Sequence, residues 1–519
     1  MSAQSEYGLV TVEADIESSP QQLPHRRNLV TSPLLRLPVE LIVKIFEHAI
    51  EHDSNSSSLF SDSGPTVLVL TAICQDLRNI GITAPLLWST VDLTIPPVAE
   101  LFLQRCNYVP RTLKRLRSAR EKRAVATFQD PRREAVWTQL EGRTFNNLRA
   151  LAFEGTLTEF KHRVVPILET ATNISSLDLQ QPIDINAPQL PWHPTSPTPY
   201  LSVLRLYGFS IGWTSPLLRN LTQMTLDLGL FYPLPQQTPV ETFLAALANC
   251  PDLELLKLVR TGPSPSNGHL DECDVVVRLC RLQELFLDFE CASTIGYILS
   301  HIRYPESARL EAGVSMDNPD LSEAISQIIP RNNPGVLSQF QKTRELNIRL
   351  DTYSSTFSTD KSIIRCWNWA PEYSPQALYQ AMQQVLEVVG KDVVALSVDG
   401  RDANLTGEIW ESFLHRLPGL ERIRWCGKAQ NPGVVDPLIS AFSRRFEGGL
   451  VCPRLTHLEL SREMVIEDQS ATLLKRTLTE RNACGVRLKW MGLCDALIGW
   501  ELYDEPVLEQ FLDLVDEVR

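Results

Sequence analysis

The chain is 519 residues long, enough for two to four domains or for one long repeat array with an appendage. With 43% hydrophobic and 21% charged residues it has the composition of a folded globular protein, and its net charge of −13 argues against general nucleic-acid binding, which depends on basic contacts to phosphate. The charge is uneven: residues 100–150 carry 12 Lys/Arg against 5 Asp/Glu, a local +7 that leaves −20 for the remainder. Such a basic belt reads first as a solvated helix face and second as a means of steering an acidic partner. The eleven cysteines are scattered, with no C-x-x-C pair. Cys250, Cys280 and Cys452 sit beside apolar strand patterns and are expected to be buried thiols, which fits a reducing compartment. No apolar run approaches the ~18 residues of a membrane span, and the polar, acidic N-terminus has no apolar signal-peptide segment. A cytoplasmic or nuclear location is therefore expected, with no membrane and no nucleic acid among the partners.

In chain order, residues 1–33 are Gln/Ser/Pro-rich and are expected to be a disordered tail. A small helical module follows over residues 34–95. Leu37-Pro38 opens it, since proline suits a first helical position where its missing N–H costs nothing. Leu41, Ile42, Ile45, Phe46 and Ala49 recur at helical spacing as one apolar stripe, and Val69, Ile73, Leu77 and Ile80 form the stripe of a second run. Pro85 ends that run, and Leu86-Leu87-Trp88 starts a third short turn. Sixty residues hold too little core to stand alone comfortably, so part of this apolar surface should face another protein.

The three blocks LPVELIVKIF, ICQDLRNIG and TAPLLWSTVDL, in this order, resemble the F-box, especially as it occurs in large families of fungal F-box proteins. The resemblance covers about 60 residues. It implies docking onto the Skp adaptor, and through it a cullin, of a Skp–cullin–F-box ubiquitin ligase. By position, the implied adaptor contacts are Leu37, Pro38, Leu41, Ile45, Phe46, Ile73, Cys74 and Trp88. The chain departs from the family where Gln75, Asp76 and Leu77 replace a basic pair and tryptophan, and where a Ser-rich insertion, His52 to Pro65, separates the first two helices.

Residues 96–144 form the basic connector, expected to be helical around Leu101 to Arg123 and interrupted at Pro110 and Pro131. From 145 to 519 one unit recurs: an L-x-x-L-x-L-like strand, as in LRALAF (148–153), LSVLRL (201–206), LTQMTL (221–226), LELLKL (253–258), LQELFL (282–287), VALSV (394–398), LERIRW (420–425) and LTHLEL (455–460). Weaker versions are ISSLDL (174–179), ARLEAGV (308–314), RELNIRL (344–350) and VRLKWMGL (486–493). Helical stretches such as VETFLAALANC, STIGYILSHI, EIWESFLHRL and DPLISAFSRRF lie between them. Strand and helix alternating at this period predict an α/β fold, a helical F-box followed by a leucine-rich-repeat solenoid with a curved parallel sheet. The repeats lack the regular asparagine of many leucine-rich repeats and resemble the irregular repeats found behind F-boxes. A doubly wound α/β domain is the competing fold.

On such strands the residues between leucines face the open side, which makes Arg205, Lys257, Phe286, Arg349, Arg424 and Glu459 candidates for contacting a target protein. Two stretches interrupt the array and are expected to be loops: the Pro-rich 181–200 and the polar, aromatic 351–376. Their Trp192, Trp367, Trp369 and Tyr373 are further target-contact candidates, set against rings that fold back on the array. His48-x-x-Glu51-His52 has the spacing of an inverted zincin, but histidines at a helix C-terminus explain it more simply. With no nucleophile elbow, phosphate loop or dinucleotide motif, no cofactor, metal or catalytic residue is expected. The resemblance implies a non-catalytic subunit: the F-box holds the ligase scaffold and the repeats hold an unidentified target for ubiquitination. A leucine-rich scaffold that binds proteins without directing degradation is the alternative.

Overall fold

The computed structural model describes residues 32–55, 66–107, 109–115, 131–181, 188–194, 198–229, 239–263, 275–316, 326–330, 334–351, 354–368, 375–389, 391–400, 405–426, 435–446, 449–461, 465–466, 468–492, 497–498 and 511–518. The expected tail, apart from its last two residues, lies outside them. The chain divides into two compact units, Met1–Phe153 with Ile167–Thr172, and Glu154–Pro166 with Asn173–Arg519. The division thus falls after Phe153 rather than at 144.

In the first unit, α1 (Val39–Asn55) begins just after Pro38, whose carbonyl accepts from the amides of Leu41 and Ile42. The expected second helix is two helices, α2 (Thr66–Ala72) and α3 (Gln75–Thr83). Cys74, with extended backbone, breaks them apart, and its carbonyl accepts the Arg78 amide in the first turn of α3. Ile42 and Phe46 of α1, Val67 and Thr71 of α2 and Leu77 of α3 turn inward as the core. A short turn, Pro85–Trp88, closes the module. Trp88 is fully buried, donates from Nε1 to the Gly81 carbonyl at 2.7 Å and meets the Phe102 ring edge-on at 5.0 Å.

The connector does not run as one helix. After α4 (Pro96–Arg105) the chain turns into a strand, so that β1 (Thr90–Asp92), β2 (Thr112–Arg115) and β3 (Ala150–Glu154) lie parallel, with Val91 beside Leu113 and Leu113 beside Leu151. In the sequence Thr-Leu-Lys-Arg only one strongly apolar residue marks the strand; tertiary pairing, not helical propensity, decides it. α5 (Pro131–Leu140) buries Val136, Trp137 and Leu140, with Trp137 edge-on to Phe153 at 5.8 Å.

The second unit is α/β with a large, mostly parallel sheet. β4 (Ser176–Gln180), β5 (Val203–Tyr207), β6 (Gln223–Asp227), β7 (Leu255–Val259), β8 (Glu284–Phe289) and β9 (Arg309–Met316) are parallel neighbours in chain order. Alternation does the work: Leu177, Leu204, Met224, Leu256, Leu285 and Leu310 stand in register on the inner side, each at most 1% exposed. Each such leucine gains roughly 1.5–3 kcal/mol over an exposed one, provided its neighbours are in place.

The stretch read as a loop over 351–376 contains two strands, a correction to the sequence expectation. β10 (Glu345–Asp351), β11 (Ser354–Ser358) and β12 (Ser362–Asn368) form an antiparallel meander laid in backwards, so that β12, not β10, pairs with β9. β10 then joins β13 (Ala395–Gly400), and β14 (Arg422–Cys426), β15 (His457–Ser461), β16 (Leu488–Gly492) and β17 (Val515–Val518) continue in parallel. Phe357 and Ile364 carry the buried row across the insertion, between Ala312 and Ile348. In β11 serine and threonine fill every position but Phe357, which is why that part of the segment reads as polar.

Helices α6 (Val240–Ala248), α7 (Ala292–His301), α8 (Pro334–Gln341), α9 (Pro375–Val388), α10 (Gly407–His415), α11 (Asp436–Ser443) and α12 (Asp468–Ala483) connect the strands. α10 is capped by Thr406, whose hydroxyl accepts from the Ile409 amide, and α11 opens on Pro437. α10, α11 and α12 pack in succession. Cys250 and Cys452 are buried as expected; Cys280 is exposed, one residue after the buried Leu279.

Candidate interaction surfaces

In the first unit the helices divide one apolar stripe between core and solvent. Ile42 and Phe46 are 1% exposed, while Leu41 and Ile45, each one residue earlier, are 45% and 44% exposed. Val69 points outward from α2, and Ile73, at the break before α3, is the most exposed large apolar side chain among the described residues, at 64%. Among the described residues ten exposed large apolar side chains lie between Leu37 and Val109, against four elsewhere (Tyr200, Val275, Val276 and Leu512). Single exposed apolar residues are ordinary on protein surfaces; here they are concentrated in one unit. Of the expected adaptor contacts, Leu37, Pro38, Leu41, Ile45 and Ile73 are exposed and Cys74 is half-buried. Phe46 and Trp88 are corrected: both are sealed inside the module and hold its helices together.

In the second unit the side of the sheet opposite the leucine row is open and polar. Register places Arg205, Lys257 and Phe286 in one row, beside Asp178, Thr225 and Glu311. Arg424 and Glu459 continue it beside Ser397, whereas Arg349 stands one row over, between Thr356 and Asp399. Trp367 lies in β12, where only its backbone is described; Trp369 and Tyr373 lie outside the described residues. Trp192 is 7% exposed and so is no surface anchor: this ring folds back on the sheet unit.

The open face is knit by ion pairs. Lys257 Nζ lies 3.1 Å from Asp227 and between the rings of Tyr207 and Phe286, 5.9 and 5.1 Å from their centroids. Arg365 meets Glu311 at 2.7 Å, Arg422 meets Glu345 at 3.1 Å, Arg424 meets Glu459 at 3.2 Å, and Arg205 donates to Gln223 at 2.8 Å. Asp288 is 8% exposed, and burial pushes its carboxyl up to about 6 against the attraction of Arg260. The carboxyl has room only because Gly313 faces it: a Cβ there would lie 3.0 Å from the Asp288 carboxyl carbon. Burial also raises Asp178, and it raises Tyr207 with help from the Asp178 charge.

Toward β16 this face holds a depression of about 570 Å³ lined by Glu345, Asn347, Ser397, Arg422, Arg424, His457, Glu459 and Trp490, among others. The His457 and Trp490 rings lie 6.1 Å apart, tilted by 34°. Neither was singled out from the sequence, although the signal was there: His457 is two residues before Glu459, and Trp490 two before Gly492, on the same face by alternation. Arg365 was missed because its strand was read as loop. His48 is exposed on α1, and the side chains of Glu51 and His52 lie outside the described residues. Among the described residues no group of three or more His, Cys, Asp and Glu is placed to hold a metal ion, and no helix is long and apolar enough to cross a membrane.

No protein-family model matches the chain, and no curated protein matches it.

Proposed function

We propose that this chain is the substrate-recognition adaptor of a Skp–cullin–F-box ubiquitin ligase. Residues 34–95 act as the F-box, and the strands beyond 145 act as an irregular leucine-rich-repeat solenoid whose open face receives the target protein. The observation that carries the reading is the set of exposed aliphatic side chains, Leu37, Leu41, Ile45, Val69 and Ile73, on a module whose own core is already filled by Ile42, Phe46, Leu77 and Trp88. Covering the exposed half of one such side chain is worth on the order of 1 kcal/mol, so a handful supplies the hydrophobic part of an interface. The paired charges and rings of the sheet face suit recognition of another protein: they fix register and orientation more than raw affinity. In this role no residue of the chain makes or breaks bonds; it brings the target to the partner that carries activated ubiquitin.

The test is co-purification of the full chain with the Skp adaptor and a cullin, beside a Leu41→Lys/Ile45→Lys/Ile73→Lys variant. These three side chains are in solvent, so the variant keeps its fold, which Phe46 or Trp88 variants would not. Capture of both partners by the wild type, with loss of at least roughly tenfold in the variant, is the expected result. If a folded wild type captures neither, the chain is a leucine-rich scaffold outside the ligase, the reading favoured by Gln75, Asp76 and Leu77.

A further inference from the structure

An acidic chain here gathers unpaired cations in one place. Along the open sheet face the bases are neutralised, Lys257 by Asp227, Arg365 by Glu311, Arg422 by Glu345 and Arg424 by Glu459. Where β10, β13, β14 and β15 begin, the pattern reverses. A second depression, of about 490 Å³, is lined by Lys342, Arg344, Lys391, Asp392, Val394, Gly419 and Arg454. Four cations thus face one carboxylate. Lys342 is held by Glu306 at 2.9 Å, whereas the side chains of Arg344, Lys391 and Arg454 make no ion pair or hydrogen bond among the described residues.

The backbone fixes this convergence. The amides of Val394 and Ala395 donate to the Arg344 carbonyl, those of Glu421 and Arg422 to Val394, and those of Thr456 and His457 to Glu421. These bonds set four strand starts side by side. At about 4.8 Å per strand the row from Arg344 to Thr456, two residues after Arg454, spans roughly 14 Å, within the combined reach of two long arginine side chains extended from either end. Gly419 lines the middle without a side chain, and a Cβ there would lie 3.2 Å from the Lys391 carbonyl oxygen, a tight contact that glycine avoids while leaving the space open. Like charges held together without counter-charges repel unless an anion joins them, and the cluster stands out in a chain whose overall net charge is −13.

We propose that this depression is a binding site for a dianionic phosphate group, with Arg344 and Arg454 supplying paired N–H donors and Lys391 a compact charge. Arg344 and Val394 are followed directly by Glu345 and Ala395 of the 570 Å³ depression, so the phosphate lies at one end of that groove. The site stands independently of the ligase reading.

The experiment is calorimetric titration of the full chain with inorganic pyrophosphate at low salt. Saturable binding is expected, weakening as salt is added. It should fall about tenfold or more in Lys391→Ala/Arg454→Ala and remain unchanged in Arg422→Ala, whose cation is already paired. Circular dichroism checks that each variant keeps its fold. A second arm compares a short neutral peptide carrying one phosphoserine with its unphosphorylated twin. Phosphopeptide binding that pyrophosphate displaces assigns the site to a modified protein; pyrophosphate binding alone assigns it to free phosphate compounds. Absence of saturable pyrophosphate binding, or equal binding by wild type and Lys391→Ala/Arg454→Ala, overturns the proposal.

Discussion

The helices between Val39 and Thr83 leave aliphatic side chains in water, whereas the unit beyond Asn173 takes charged side chains out of it. The two choices differ in cost. An exposed isoleucine loses little relative to the unfolded chain, where it is also wet, and it retains the free energy of burial for a partner. A buried charge has no such neutrality. Arg481 is 1% exposed and persists because its Nη atoms donate to the carbonyls of Val451, Cys452 and Phe442 at 2.9, 2.8 and 3.3 Å. Burial lowers its pKa from the ordinary arginine value, opposed in part by the charges of the Cys452 and Cys484 thiol groups. The first unit therefore leaves apolar surface uncovered at little cost, and the second ties three separate segments together through one cation.

Five substitutions sharpen or break this contrast. The largest effect is expected at Trp88→Ala, which empties the core of the first unit and leaves the Gly81 carbonyl without its donor: about 4–5 kcal/mol, read from chemical denaturation with a probe in that unit. Arg481→Ala should cost the second unit about 3–4 kcal/mol by leaving three carbonyls unpaired; a loss under about 1 kcal/mol would show the guanidinium to be a passenger.

Asp288→Asn probes the buried acid. Its carboxyl is raised from 3.8 to about 6, so the folded state holds a proton more tightly than the unfolded chain. The associated stabilisation is full below about pH 4 and is lost as pH rises through about 6, a change on the order of 2–3 kcal/mol. The stability difference between wild type and Asp288→Asn should therefore vary between about pH 4 and 6 and level off above about pH 7. A difference that stays flat across that range would place Asp288 in ordinary solvent contact. The smallest effect belongs to Ile45→Ala, within about 0.5 kcal/mol, beside roughly 3–5 kcal/mol for Phe46→Ala one residue away. Equal losses would mean that the α1 surface is already covered within the chain.

Much of this architecture is legible residue by residue. In Leu253-Glu-Leu-Leu256-Lys-Leu258 the period of two names both the strand and its buried side, because alternate side chains must lie on opposite faces. The helices between strands follow from their 3.6-residue stripes, as in Ile409, Phe413 and Leu417. Local pattern fixes which residues are apolar together, since it rests on backbone geometry that every copy of the sequence obeys. It does not fix which element a residue meets. Ile45 and Phe46 belong to one stripe, and only the packing of α1 against α2 and α3 puts Phe46 inside and Ile45 out. Arg349 looks equivalent to Lys257, yet pairing across β11 and β13 sets it one row away. The Ser/Thr-rich β11 and the adjoining β12 become strands because open ladder positions on β9 and β10 await them, and the basic depression forms because the turns carrying Arg344, Lys391 and Arg454 lead into strands of one sheet. Periodicity is a property of the chain; adjacency between segments dozens of residues apart belongs to the folded structure alone.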